Sequence, residues 1–296
     1  MSRRRKAVLT FGGVYLLGFI ALLVAFGSHG RDNAFQPQNE FKLLTWTKIG
    51  PIAINKGVLY IVVAGLLTTL TMLYIANRMQ AKPNRVQTAV ETLYTLMRDN
   101  ITRGNMGDDM SAKWFPFIGT LFLFIWYSNL IGYIPLPTNS GEKFNFLGAH
   151  IPAFAIYAAT ANVGVPLVLA LIVFVAFNVE GIRAKGPIGY IKSLIPGGVH
   201  GPMLILIFPL ELMSTFMRLI SLTVRLFANI LAGHLIILFM SGGLVVLLGL
   251  SAIGWITLPL GVALFLFEVG LVATLQAFIF ATLSAIYLGG AVAEGH

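Results

Sequence analysis

Glu211, Arg218 and Arg225 share a stretch, residues 201–293, that is otherwise almost free of charge. No Lys or Arg follows Arg225, and across 226–267 the only group able to carry charge is His234. Glu268 and Gln276 follow farther on. Carboxylate and imidazole groups can be tuned to take up and release protons near neutral pH. A guanidinium cannot: with a pKa above about 12 it stays charged, so it serves as a fixed cation and not as a relay. A fixed cation blocks a proton wire electrostatically, and it strips the proton from a carboxylic acid brought up to it by favouring the ionised form. Glu, His and Arg in apolar surroundings therefore read as parts of an ion pathway.

Their spacing says how a helix would present them. Glu211, Arg218 and Arg225 are each seven apart, two helical turns, so they lie along one stripe that drifts about 20° per step. Asn229, four after Arg225, joins that stripe. His234 is nine after Arg225, about 900° of rotation, and falls on the opposite face.

Composition says what kind of element must hold them. The chain has 296 residues, 57% hydrophobic and 10% charged, against roughly 25% charged in soluble domains; its mean hydropathy is +0.85. A soluble domain and a disordered chain are both excluded. With no cysteine, disulfides and thiolate metal sites are excluded too. The net charge is +9, but the basic residues sit between apolar stretches, and no aromatic-basic motif of nucleic-acid binders is present; the charge reads as membrane topology. At bilayer depth a charge costs about 2.5–3.5 kcal/mol on insertion scales, which makes the residues above functional candidates by default.

The apolar runs predict an all-α integral membrane protein, one polytopic domain over 1–296 with about six spans. The first is 7–27, after MSRRRK; its apolar core is longer than that of a signal peptide and no A-x-A site follows, which favours a retained helix. Residues 28–56 read as an extramembrane loop. Helices two to four follow within 57–196: about 57–78, 114–135 and 152–178, with a surface helix inside 79–112 and a polar loop after the third. The long charge-poor stretch would be about 63 Å as one helix over 226–267, twice the hydrocarbon thickness. It must break, at Ser241-Gly242-Gly243 or near Pro259, giving two long helices, roughly 202–240 and 245–290, in a tilted hairpin. MSRRRK and the basic segments 79–112 and 181–192 share one side under alternate crossing, so both termini are expected in the cytoplasm.

The stretches SLTVRLFANILAGHLIILF and LQAFIFATLSAIYL, with SNLIGYIPLP and TANVGVPLVLALIVF earlier, resemble subunit a of the rotary F-type ATP synthases. The resemblance runs from about residue 38, and its R-L-F-x-N-x-x-A-G pattern is specific. It implies a membrane stator whose last two helices form a long tilted hairpin packed against a c-ring, with b-type peripheral stalk subunits, membrane lipid and a translocated proton as the other partners, no cofactor, and no catalysis by the chain itself. By motif position Arg225 matches the family's stator arginine. Gln276 matches the polar residue facing the arginine region, Glu211 an acidic channel position and Arg218 a basic one. Asn229 and His234 match positions just after the arginine, and Asn162 a polar position often occupied by Asp. His234 and Glu268 look like the family's His-then-Glu pair. One departure stands out: Glu268 is eight before Gln276 where seven is expected. One residue turns a helical side chain by about 100°, which a local bulge could restore.

The implied mechanism has two offset half-channels. A proton comes in from the outer side near His234 and Glu268, with Glu211 a further candidate there, and neutralises a c-subunit carboxylate. It leaves to the inner side after the ring has turned. A bacterial plasma membrane is the expected location, because the chain starts with a basic segment and a spanning helix. Plainer readings stand beside these. Arg225 or Arg218 could snorkel to the interface, Arg218 could pair with Glu211, His234 and Glu268 could be structural contacts, and Asn229 and Gln276 interhelical hydrogen-bond glue. Two other functions would use the same residues: a secondary transporter with Glu, His and Arg as ligands, for which no inverted repeat is found, and a membrane scaffold, against which the seven-spaced stripe argues.

Overall fold

The computed structural model describes residues 13, 14, 17, 43, 45–50, 52–77, 84–146, 149–155, 157–195, 203–240 and 254–293. Most of the expected helix 7–27 and the Ser241-Gly242-Gly243 break lie outside the described residues, as does Pro196-Gly197-Gly198, where the sequence is also expected to break the chain; Gly13, Val14 and Leu17 are helical. Two compact units are described in turn: Thr45–Pro135 with Tyr157–Ile230 and Val272–His296, and Met1–Leu44 with Leu136–Ile156 and Leu231–Leu271.

The larger unit starts with a hairpin, β1 (Thr45–Ile49) and β2 (Ile52–Asn55), turned by Gly50 at φ +60°. Asn55 Oδ1 accepts from the Val58 amide at 3.2 Å and so starts α1 (Lys56–Asn77). α2 (Arg85–Thr95) begins where Asn84 Oδ1 accepts from the Gln87 amide, then widens into a π turn, Leu96–Arg103, that buries Met97, Ile101 and Thr102. α3 (Asp108–Gly132) opens with Asp108 and Asp109 in its first turn, where carboxylates suit the positive helix end. A short 3₁₀ turn, Ala159–Ala161, leads into α4 (Gly164–Lys185) and α5 (Pro187–Ser193), joined at Gly186 with φ +72°.

The core of this unit gathers Met97 and Ile101, Ile118, Phe122, Leu123 and Ile125 of α3, and Val173 and Phe177 of α4. It also takes in Leu222, Leu226 and Ile230 of α6 (Met203–Leu238), and Ala277, Phe280, Ala281, Ala285 and Leu288 of α8 (Ala273–Val292). α8 packs on α3 and α4, and α1 on α3. Glycines allow two further close approaches, to loops: a Cβ at Gly132 would strike Ala158, and one at Gly289 would strike the Asn105 carbonyl.

The smaller unit holds a hairpin, β3 (Leu136–Phe146) with β4 (Ala149–Ala155), the end of α6, α7 (Gly254–Phe267) and a π turn, Glu268–Val272. Five helical segments are long and apolar enough to span a membrane among the described residues: Lys56–Asn77, Asp108–Gly132, Gly164–Lys185, Met203–Leu238 and Thr257–Val292. The last two have 36 residues each, about 54 Å, so neither fits upright within a hydrocarbon core of about 30 Å. The chain is an all-α membrane protein with two small hairpins added.

Three boundaries correct the expectations. The third span starts at Asp108, not 114, and ends at Gly132. The fourth starts at Gly164, not 152, because Ala149–Ala155 pairs with β3 instead; it then runs through the basic residues to Lys185. The polar loop after the third span and the end of the 28–56 loop are β-hairpins.

Candidate functional site

α6 displays its residues much as the seven-fold spacing requires. Leu222, Leu226 and Ile230 are buried, whereas Arg218, Arg225 and Asn229 are exposed. Among the described residues no carboxylate pairs with Arg225. His234, on the other side of the helix, is 3% exposed.

Within the smaller unit Glu268 lies against Gly233, the neighbour of His234: a Cβ at Gly233 would collide with the Glu268 carboxylate. Only a glycine admits that approach. Glu268 opens the π turn Glu268–Val272, the kind of irregularity that takes up one residue in an α-helix. The eight-residue spacing to Gln276 thus has a local structural counterpart. Gln276 itself is buried on the face of α8 formed by Ala273, Ala277 and Phe280.

Glu211 and Arg218 line one cavity of about 250 Å³ with Thr215, Lys185, Tyr190 and the end of α8. They do not pair; the Arg218 guanidinium instead lies over the Tyr287 ring, 5.3 Å from its centre. The Tyr190 hydroxyl donates to Asn178 Oδ1 at 2.9 Å, and its ring fills the space a Cβ at Gly181 would need. Burial pushes the Tyr190 phenol up, and the Arg218 charge pulls the other way. Lys185 Nζ donates to the Ala293 carbonyl at 2.7 Å and ties α4 to the end of α8.

Asn162 sits just before α4, where its Oδ1 accepts from the Gly164 amide at 2.9 Å. It also bonds the Tyr157 hydroxyl, which burial raises to about 12 against the opposing effect of that bond.

Sequence reasoning passed over several polar groups that the fold buries. Lys113 Nζ bonds Glu180 Oε1, joining α3 to α4, and Glu180 is 5% exposed. Asn129 accepts from Thr160 Oγ1 at 2.7 Å and donates to the Ala273 carbonyl at 3.2 Å. Trp126 Nε1 donates to Thr274 Oγ1 at 3.0 Å. Lys56 is buried 4.9 Å from the Tyr157 ring centre. The one signal for Glu180 was an acidic residue at the end of an apolar run, among basic ones. Among the described residues no three His, Asp or Glu side chains are grouped to hold a metal ion.

The geometry defines a polytopic helical membrane protein with ionisable groups on its longest helices. A family model described as ATP synthase A chain matches residues 58–289, and the chain belongs to that family. "ATP synthase subunit a" of Myxococcus xanthus is 35% identical over 248 residues, 83% of this chain and 75% of that one. The protein of the same name from Bradyrhizobium diazoefficiens is 38% identical over 251 residues, 83% and 90% of the two chains. That of Pelagibacter ubique is 32% identical over 271 residues, 89% and 100%. Membership makes this chain a non-catalytic, proton-translocating membrane subunit of an ATP synthase. The transporter and scaffold readings are set aside.

Proposed function

We propose that the chain is the stator that offers two offset half-channels to carboxylates on a c-ring, with Arg225 fixed between them. The observation that carries this is Arg225, exposed on a membrane-spanning helix and paired with no carboxylate among the described residues. A lone cation there is costly and calls for a negative partner from another chain. A c-ring carboxylate passing Arg225 is held ionised, releases its proton on one side and takes one on the other before re-entering lipid neutral, which avoids burying a charge. Guanidinium cannot hand on a proton, so the two channels stay separate.

The outer path runs near His234 and Glu268, and Asn162 and Gln276 are further residues of proton translocation. Asn229 extends the Arg225 stripe, and a π turn at Glu268–Val272 supports reading Glu268 with the motif despite its spacing. Glu211 and Arg218 belong to the inner path in this reading, not the outer one. Their cavity is walled by Lys185 and Tyr190 of the basic segment, which the positive-inside rule puts in the cytoplasm. Chain 1–296 acts as one polytopic domain, with both termini cytoplasmic in a bacterial plasma membrane, beside a c-ring and b-type stalk subunits.

The test is ATP-driven proton pumping in vesicles carrying Arg225→Ala, with passive leak assayed alongside. Loss of pumping with subunit a still assembled is expected; intact pumping would overturn the proposal.

A further inference from the structure

Arg218 and Glu211 share a cavity wall and carry opposite charges, yet they do not pair. Seven residues of helix separate them, about 10 Å along the axis. Arg218 instead lies over Tyr287 of α8, 5.3 Å from the ring centre, the favourable placement of a cation on the negative face of an aromatic ring. Tyr190 of α5 lines the same cavity. That ring has little freedom: its face is seated on Gly181 and its hydroxyl is anchored on Asn178, whose own amide donates to the Phe174 carbonyl at 2.7 Å. Tyr287 in turn lies 6.0 Å from Phe177, ring centre to ring centre, and Phe177 is buried in the core.

We infer that Tyr287 is a positioning residue of the inner path, holding the Arg218 guanidinium on its aromatic face so that the charge stays in the cavity that Glu211 also lines without being consumed in an ion pair. This rests on reading Glu211 as a member of that path. An aromatic face attracts a cation but has no net charge, so Arg218 keeps its full field. A carboxylate in direct contact would cancel it. The ionisable or charged groups facing Glu211 in this cavity are Lys185 of α4, Tyr190 of α5 and Arg218 of its own helix; Tyr287 of α8 supports the last. Lys185 is engaged by the Ala293 carbonyl. Lys185 keeps its charge on that neutral acceptor, so Arg218 is one of two cations in the cavity that Glu211 lines, and the one whose place an aromatic ring fixes.

The inference is tested on the whole ATP synthase in vesicles, by measuring proton flux toward the inner side. Glu211→Gln should abolish that flux. If it does not, the assignment of Glu211 to the inner path fails, and the inference with it. Tyr287→Leu and Arg218→Gln should each lower the flux roughly tenfold, the scale of one desolvated cation–π contact. Tyr287→Phe keeps the ring and should retain the wild-type flux. Equal losses for Tyr287→Phe and Tyr287→Leu, or no loss for Tyr287→Leu while Glu211→Gln acts as expected, would overturn the inference and leave the inner path standing.

Discussion

At Arg225, charge and hydrogen-bonding capacity are hard to imitate. A lysine there would present a compact ammonium that can lose its proton when desolvated. Arg225→Lys is therefore expected to abolish pumping almost as fully as Arg225→Ala, read as ATP-driven acidification of vesicles; near-normal pumping by the lysine variant would contradict the fixed-cation role. Gly233 poses a different constraint. The Glu268 carboxylate occupies the place of a Cβ, so Gly233→Ala must displace either the carboxylate or the helix. Overpacking of this kind costs about 1–3 kcal/mol. If that cost falls on the conducting geometry, flux drops roughly tenfold or more. Shortening the acid, in Gly233→Ala with Glu268→Asp, should recover part of the flux, and a double variant slower than the single one would count against the contact.

The helices show what a sequence can and cannot say about its elements. Lys56–Asn77 lies within one residue of its expected place because an apolar run of the right length is bounded by polar residues on both sides. The start of α4 differs from expectation for a physical reason: Ile151–Ala155 is as apolar as a helix needs to be, but its partner strand is 136–146, and pairing is not written in either segment alone. The stripe from Glu211 to Arg225 was legible as period; the placing of Arg218 on Tyr287 was not, since it depends on which helix lies opposite. The extra residue between Glu268 and Gln276 was visible as a spacing, and a π turn stands there. Deleting Gly270 should convert that turn to regular α-helix and change the phase between its two ends by about 100°. Assembly with normal helix content but lost conduction is the expected outcome, checked by circular dichroism and vesicle flux. Unchanged flux would mean that the phase does not matter.

Across the whole molecule, the polar groups hidden from sequence reasoning are those that join distant segments. Lys113 and Glu180 are 67 residues apart, and neither sits on a stripe that announces the other. Lys113 is half-exposed while Glu180 is buried, and Glu180 Oε2 has no hydrogen-bond partner among the described residues. Removing only the lysine would strand a buried carboxylate, a change that costs about 3–5 kcal/mol for a fully buried pair and toward the lower end here. Lys113→Met should thus lower the thermal midpoint of the detergent-solubilised complex, and adding Glu180→Leu should restore most of the loss, because an apolar pair leaves nothing unsatisfied. Equal destabilisation by single and double variants would argue against the pair.

The bond from Lys185 to the Ala293 carbonyl also has a consequence in time. Its two ends are 108 positions apart, and the cavity beside it takes its last wall from Gly290, Ala291 and Ala293. At about 5–20 residues per second of synthesis, the lysine waits roughly 5–20 s for its acceptor. For most of that interval the nascent chain already holds Glu211 and Arg218 but not the wall that encloses them. A chain whose translation aborts before Gly290 carries the charged stripe without the completed cavity, so partial products of synthesis lack this compartment.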